Sequence, residues 1–76
     1  MQKLKLSIDE IAALTGEARP LIYHAIGRGD LRTFLVGRRR FAKPADVQSW
    51  IDFLQSESDA GRPVSYQPRS AERAAA

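Results

Sequence analysis

Cysteine does not occur in this sequence, which excludes disulfide staples and thiolate metal sites. Histidine occurs once, as His24, so neither a metal site built from protein ligands alone nor a catalytic imidazole with a partner is expected. No apolar run approaches the roughly 20 residues needed to span a bilayer. The opening Met1-Gln2-Lys3-Leu4-Lys5-Leu6 lacks the apolar stretch of an export signal. Paired carboxylates, a nucleophile beside a base and a phosphate-cradling glycine loop are all missing. These absences predict a cytoplasmic protein that is not an enzyme, holds no cofactor or small-molecule ligand and does not enter the membrane.

Positive charge is what the chain does have. Its 12 Lys and Arg against 9 Asp and Glu give a net charge of +3, with a pI near 9.8. Residues 1–55 hold nine basic and six acidic side chains, whereas residues 56–76 hold three of each. The whole excess therefore lies in the part expected to fold, which favours an acidic partner. Its sharpest expression is Arg38-Arg39-Arg40, directly after Gly37 and between two short apolar runs. A hairpin turning at Gly37 carries these guanidiniums to its tip, where planar, permanently charged donors suit phosphates and narrow grooves.

Local patterns supply the elements. Ser7-Ile8-Asp9-Glu10 has the form of a capping box, and Ile8, Ile11 and Ala12 form an apolar stripe with Leu14 at its end. Gly16 stops this first helix, predicted over residues 8–15. Pro20 suits the first turn of a second helix, which places Ile22, Ala25 and Ile26 on one face and ends at Gly29. The intervening gap of about three residues is a helix-turn-helix spacing. Leu31 to Leu35 and Arg40 to Ala42 then read as a two-stranded hairpin. Pro44 opens a third helix, whose Val47, Trp50, Ile51 and Leu54 mark an amphipathic face.

Beyond Gln55 the pattern fails, because residues 56–76 offer only Val64 and Tyr66 as sizeable apolar side chains. The expectation is a folded domain over residues 1–55 and a disordered, flexible C-terminal tail over 56–76, with a transient helical turn near Ala71–Ala76. Trp50 is expected in the core with Phe34, Phe41 and the first-helix stripe. Arg28-Gly29-Asp30 spells an adhesion tripeptide, but its glycine has the plainer task of ending a helix.

The order of helix, tight turn, helix, arginine wing and Trp-bearing helix resembles the excisionase and MerR-type winged-helix DNA-binding domains. The resemblance runs over residues 4–54 through Leu6-Ser7, Glu10-Ile11-Ala12, Leu14, Gly16, Arg19, Ile22, Tyr23, Ile26, Arg28-Gly29-Asp30-Leu31, Val36-Gly37-Arg38-Arg39, Asp46-Val47 and Trp50-Ile51. It implies an α+β, mainly helical winged helix-turn-helix whose second helix enters the major groove and whose wing reaches the neighbouring minor groove or backbone. Ala18 departs from the pattern, since relatives carry a small hydroxyl residue there. The second helix thus lacks a side-chain cap, a loss of about 1 kcal/mol. Gly27 stands where a long or basic residue is usual, which removes one phosphate contact.

By position, the resemblance makes Arg19, Pro20, Tyr23, His24 and Arg28 the DNA-facing residues of the helix, and Arg38, Arg39 and Arg40 those of the wing. Arg19 is placed to meet a base edge, with guanine the natural target of a bidentate arginine; the competing reading pairs it with Glu17. Arg28 is expected to position the backbone. Tyr23 serves equally as a phosphate donor or as a cover for the core edge, and His24 as a polar contact near DNA or a plain surface residue. For the wing arginines the competing reading is a solvated turn.

These expectations converge on an architectural protein resembling an excisionase, which binds and bends attachment-site DNA for integrase-mediated excision in a phage or bacterial cytoplasm, at the nucleoid. Double-stranded DNA is the expected partner, together with a phage integrase and with further copies associating cooperatively on DNA. The alternative is a small MerR-like transcriptional regulator or repressor on the same scaffold, without a ligand domain. A terminase small subunit resembles this fold as well but adds an assembly domain, and a protein-interaction module is the reading from a different class.

Overall fold

A computed structural model of the chain describes residues 3–66. In chain order the elements are β1 (Leu6–Ser7), α1 (Ile8–Thr15), α2 (Arg19–Arg28), β2 (Phe34–Val36), β3 (Arg39–Ala42) and α3 (Pro44–Asp59). The molecule is a small α+β unit of three helices and one antiparallel sheet in the order β1-β3-β2. No helix among the described residues is long and apolar enough to cross a membrane.

Both helix boundaries around the first turn follow from local chemistry. The Ser7 hydroxyl accepts from the Glu10 amide at 3.2 Å, and the Glu10 carboxylate accepts from the Ser7 amide at 2.9 Å. These two bonds satisfy amide donors that a helix start otherwise leaves without partners. Gly16 closes α1 at φ 77°, a left-handed conformation that favours glycine. Three residues later α2 begins with Ala18 at its cap position, offering no side-chain hydrogen bond, and Pro20 in its first turn.

The core lies between α1, α2, α3 and the inner side of β1 and β3. Ile11, Ile22, Ala25, Leu31, Ala42 and Trp50 are at most 2% exposed, with Leu6, Ile8 and Val47 beside them. Trp50 sits in this core as its helical phase predicts. Truncating a buried tryptophan to alanine costs about 3–5 kcal/mol, so α3 and the rest of the fold depend on each other.

Four expectations need correction. The hairpin is not a two-stranded wing standing alone, because Leu6 pairs with Ala42 and Ser7 with Phe41. A two-residue strand is too short to leave an alternation in the sequence. Phe34 does not join Trp50: it pairs with Phe41 across the hairpin, their ring centroids lie 6.2 Å apart, and it is 37% exposed. Since successive strand residues alternate faces, Phe34 and Phe41 share the side opposite Ala42, which faces the core. Leu14 ends the α1 stripe but is 69% exposed.

The fourth correction concerns the boundary at residue 55. The helix α3 continues to Asp59, and residues 60–66 fold back so that Tyr66 packs against the core. Its hydroxyl accepts from Trp50 Nε1 at 3.1 Å and donates to Asp30 Oδ2 at 2.6 Å. One aromatic anchored by two hydrogen bonds and the Trp50 ring offsets an ordering cost that the composition alone does not. The remainder of the expected tail, including Ala71–Ala76, lies outside the described residues.

Candidate nucleic-acid interface

Hairpin geometry decides where the arginines go. Val36 pairs with Arg39, so Gly37 and Arg38 form a two-residue turn. Gly37 adopts φ 63° while no described non-glycine residue has a positive φ, the pattern of a type II′ turn whose twist matches its strands. Arg38 therefore sits at the tip, Arg39 follows on the outer face of the sheet, and Arg40 on the face that continues toward Ala42.

Arg38, Arg39 and Arg40 line one cleft of about 200 Å³ with Arg19, Tyr23, Ser7, Ile8 and Asp9. The wall opposite the wing is the first turn of α2, because the short turn after Gly16 sets Arg19 beside the start of α1. Four arginines and one aspartate thus surround a single concavity, and its field attracts anions.

Each cation is held differently. Arg19 Nη1 lies 3.2 Å from Asp9 Oδ1, with both side chains largely exposed; its acidic partner is Asp9 and not the Glu17 expected from sequence. Arg40 Nη1 donates to Thr33 Oγ1 at 2.6 Å, which steadies the wing base. The Arg39 guanidinium lies 5.4 Å from the centre of the Phe41 ring, while Lys5 Nζ lies 4.1 Å from the same ring. Arg38, at the apex, is the most freely presented by position.

Tyr23 is 46% exposed and lines the cleft. It also borders a shallow depression with Pro20, His24, Gly27 and Arg28. The outward side of α2 is therefore continuous from Arg19 to Arg28, and Gly27 leaves it low. Arg28 is not brought to the wing. Its Nε lies 3.8 Å from Asp30 Oδ2, and its guanidinium is 5.3 Å from the centre of the Tyr66 ring.

Sequence reasoning missed Asp9, Thr33, Asp30 and Tyr66 as neighbours of these cations. Asp9 hides inside the capping box, where Glu10 has the recognisable task. Lys3 and Ser7 hold the Glu10 carboxyl down at about 2, the Lys3 contact being the larger cause and the Ser7 amide the next. The Tyr66 phenol is raised instead, first by burial and then by its bond to Asp30.

Comparison with known proteins gives no matching family model, no matching curated protein and no matching solved structure.

Proposed function

We propose that this protein is a winged helix-turn-helix, sequence-specific, architectural DNA-binding protein that acts in the manner of an excisionase. In this reading α2 lies in the major groove and the β2–β3 wing grips the adjoining minor groove or backbone. Arg19 reads a base edge, Arg38 and Arg39 enter or border the narrow groove, and Arg40 and Arg28 meet phosphates. Tyr23 adds a phosphate donor, and Pro20 and His24 complete the contact surface. The protein performs no chemistry of its own. It bends attachment-site DNA so that an integrase assembles on it, binding as several cooperating copies in the cytoplasm of a phage host.

The observation that carries this reading is the convergence of Arg19 and Tyr23 from α2 with Arg38, Arg39 and Arg40 from the hairpin on one cleft. A helix and a wing that face the same concavity can hold neighbouring grooves of one duplex at once. Arginine is favoured in narrowed minor grooves, and smooth bending of a short site costs about 1–6 kcal/mol, which such added contacts offset.

The test is a duplex titration at low salt with a circular-permutation bending assay, followed by excision in a purified integrase reaction. The expected results are salt-sensitive binding, a fixed bend and stimulated excision. Binding without stimulation transfers the protein to the regulator reading; no duplex binding at low salt rejects the proposal.

A further inference from the structure

The concavity between α2 and the wing contains a charge of the wrong sign for an anion site. Among the described residues that line it, Asp9 is the single carboxylate against four arginines. It is not there for want of another orientation in its own turn. Glu10, the next residue, is committed to Ser7 and Lys3, whereas Asp9 reaches across to Arg19 with its side chain 75% exposed. An exposed pair of this kind contributes little to folding. Asp9 suits the first turn of α1, where a carboxylate complements the helix dipole, but that role does not require the contact with Arg19.

We propose that Asp9 is a specificity-determining residue: it orients Arg19 for a base edge and excludes phosphate from that guanidinium. The inference rests on the DNA-binding reading above and deepens it. Asp9 occupies the Nη1 side of Arg19, which leaves the Nε and Nη2 donors as a parallel pair. Two parallel donors match the O6 and N7 acceptors of a guanine edge. A phosphate brought to the same place meets the Asp9 charge at close range, and that repulsion is absent for a neutral base edge. Discrimination achieved by repelling the wrong partner is as real as that achieved by attracting the right one. Wing arginines, farther along the cleft, keep the phosphate contacts that supply bulk affinity.

The experiment uses the full chain. Wild-type protein selects preferred duplexes from a randomised pool, and wild type, Asp9→Asn and Asp9→Glu are then titrated on a selected and a scrambled duplex across a salt series. Asp9→Asn is expected to bind the scrambled duplex about three- to tenfold more tightly, the scale of one like charge removed at a surface site. Its preference for the selected duplex falls accordingly, and the salt slope on scrambled DNA steepens by about one as a further phosphate is neutralised. Asp9→Glu, which keeps the charge, retains the preference.

Equal weakening on both duplexes in Asp9→Asn overturns the inference and reduces Asp9 to a support of α1. So does an unchanged preference in that variant, or a wild-type pool with no enriched sequence. Those outcomes leave DNA binding standing. Failure of the wild type to bind any duplex removes the function reading itself, and this inference with it.

Discussion

The Tyr66 hydroxyl donates to Asp30 Oδ2 at 2.6 Å, joining residues 36 positions apart. Asp30 follows the end of α2 and Tyr66 closes the segment after α3, so the bond ties the last described stretch to the helix proposed to read DNA. Trp50 Nε1 donates to the same hydroxyl from the core. The three side chains thus form a chain of hydrogen bonds with no apolar substitute available for its middle member.

Replacing that middle member by phenylalanine keeps the ring and removes the hydroxyl. Tyr66→Phe leaves Trp50 Nε1 without its acceptor and Asp30 without a donor, a loss of about 1–3 kcal/mol when the groups stay part-buried. For a domain of this size that corresponds to a fall in Tm of about 4–8 °C per kcal/mol. Thermal unfolding followed by circular dichroism measures it. A Tm equal to wild type shows that the segment after α3 does not support the fold.

The same phenol makes stability sensitive to alkali. Burial, with the Asp30 bond second, raises its pKa above the ordinary 10.0, so the fold favours the protonated form. The resulting stability is complete below about pH 10 and declines as pH climbs through the raised value. Urea midpoints taken at intervals upward from neutral pH are expected to fall faster for wild type than for Tyr66→Phe, which has no proton to lose. Parallel curves for the two proteins contradict this assignment.

Acid acts on the other end of the domain. The Glu10 carboxyl is lowered from 4.5 to about 2 by Lys3 first and by the Ser7 amide next. The stability it lends is present above pH 4.5 and is lost as pH falls toward 2. Glu10→Gln retains a capping oxygen but has no charge to titrate, so its midpoint over that interval is expected to be flatter than wild type. An unaltered acid limb in Glu10→Gln assigns the loss to other carboxylates.

How far the sequence reveals these features depends on how local they are. The Ser7–Glu10 box, the stops at Gly16 and Gly29, Pro44 at the start of α3 and the buried phase of Trp50 are each set within three or four residues, and each is legible. The strand at Leu6–Ser7 is not, because only its pairing with β3 makes it one. The packing of Tyr66 is equally hidden, since a composition count cannot see a bond to Asp30. Within the cleft, the wing arginines are plain from their run beside Gly37. Asp9 is obscured because the capping box already accounts for its neighbour Glu10, and its approach to Arg19 arises only from the way α1 and α2 meet.

The electrostatic footprint gives a prediction with a number. If four to six phosphates are neutralised on binding, log affinity falls against log salt with a slope of about −4 to −5. Anisotropy titrations of a labelled duplex from low to physiological salt measure it. A flat response means that the protein's cations do not meet a polyanion.

The two walls of the cleft are expected to fail differently when their cations are removed. Arg38 stands in the turn and Arg39 at the start of β3, the central strand; in the proposed reading their contacts are to phosphate or to a groove whose width matters more than its letters. Replacing both by alanine should lower affinity for selected and scrambled duplexes alike and reduce the salt slope by about two. Arg19 faces them from the first turn of α2, within 3.2 Å of Asp9, and in the proposed reading its loss removes a base contact. Arg19→Ala should therefore cost about 1–3 kcal/mol at one base position and change binding to scrambled DNA comparatively little. A matrix of single-base variants titrated with each protein separates the outcomes. Uniform loss across the matrix for Arg19→Ala reassigns it to the backbone. In that case the cleft between α2 and the wing is a phosphate clamp throughout, and sequence discrimination has to come from Tyr23, His24 or the shape of the bent duplex.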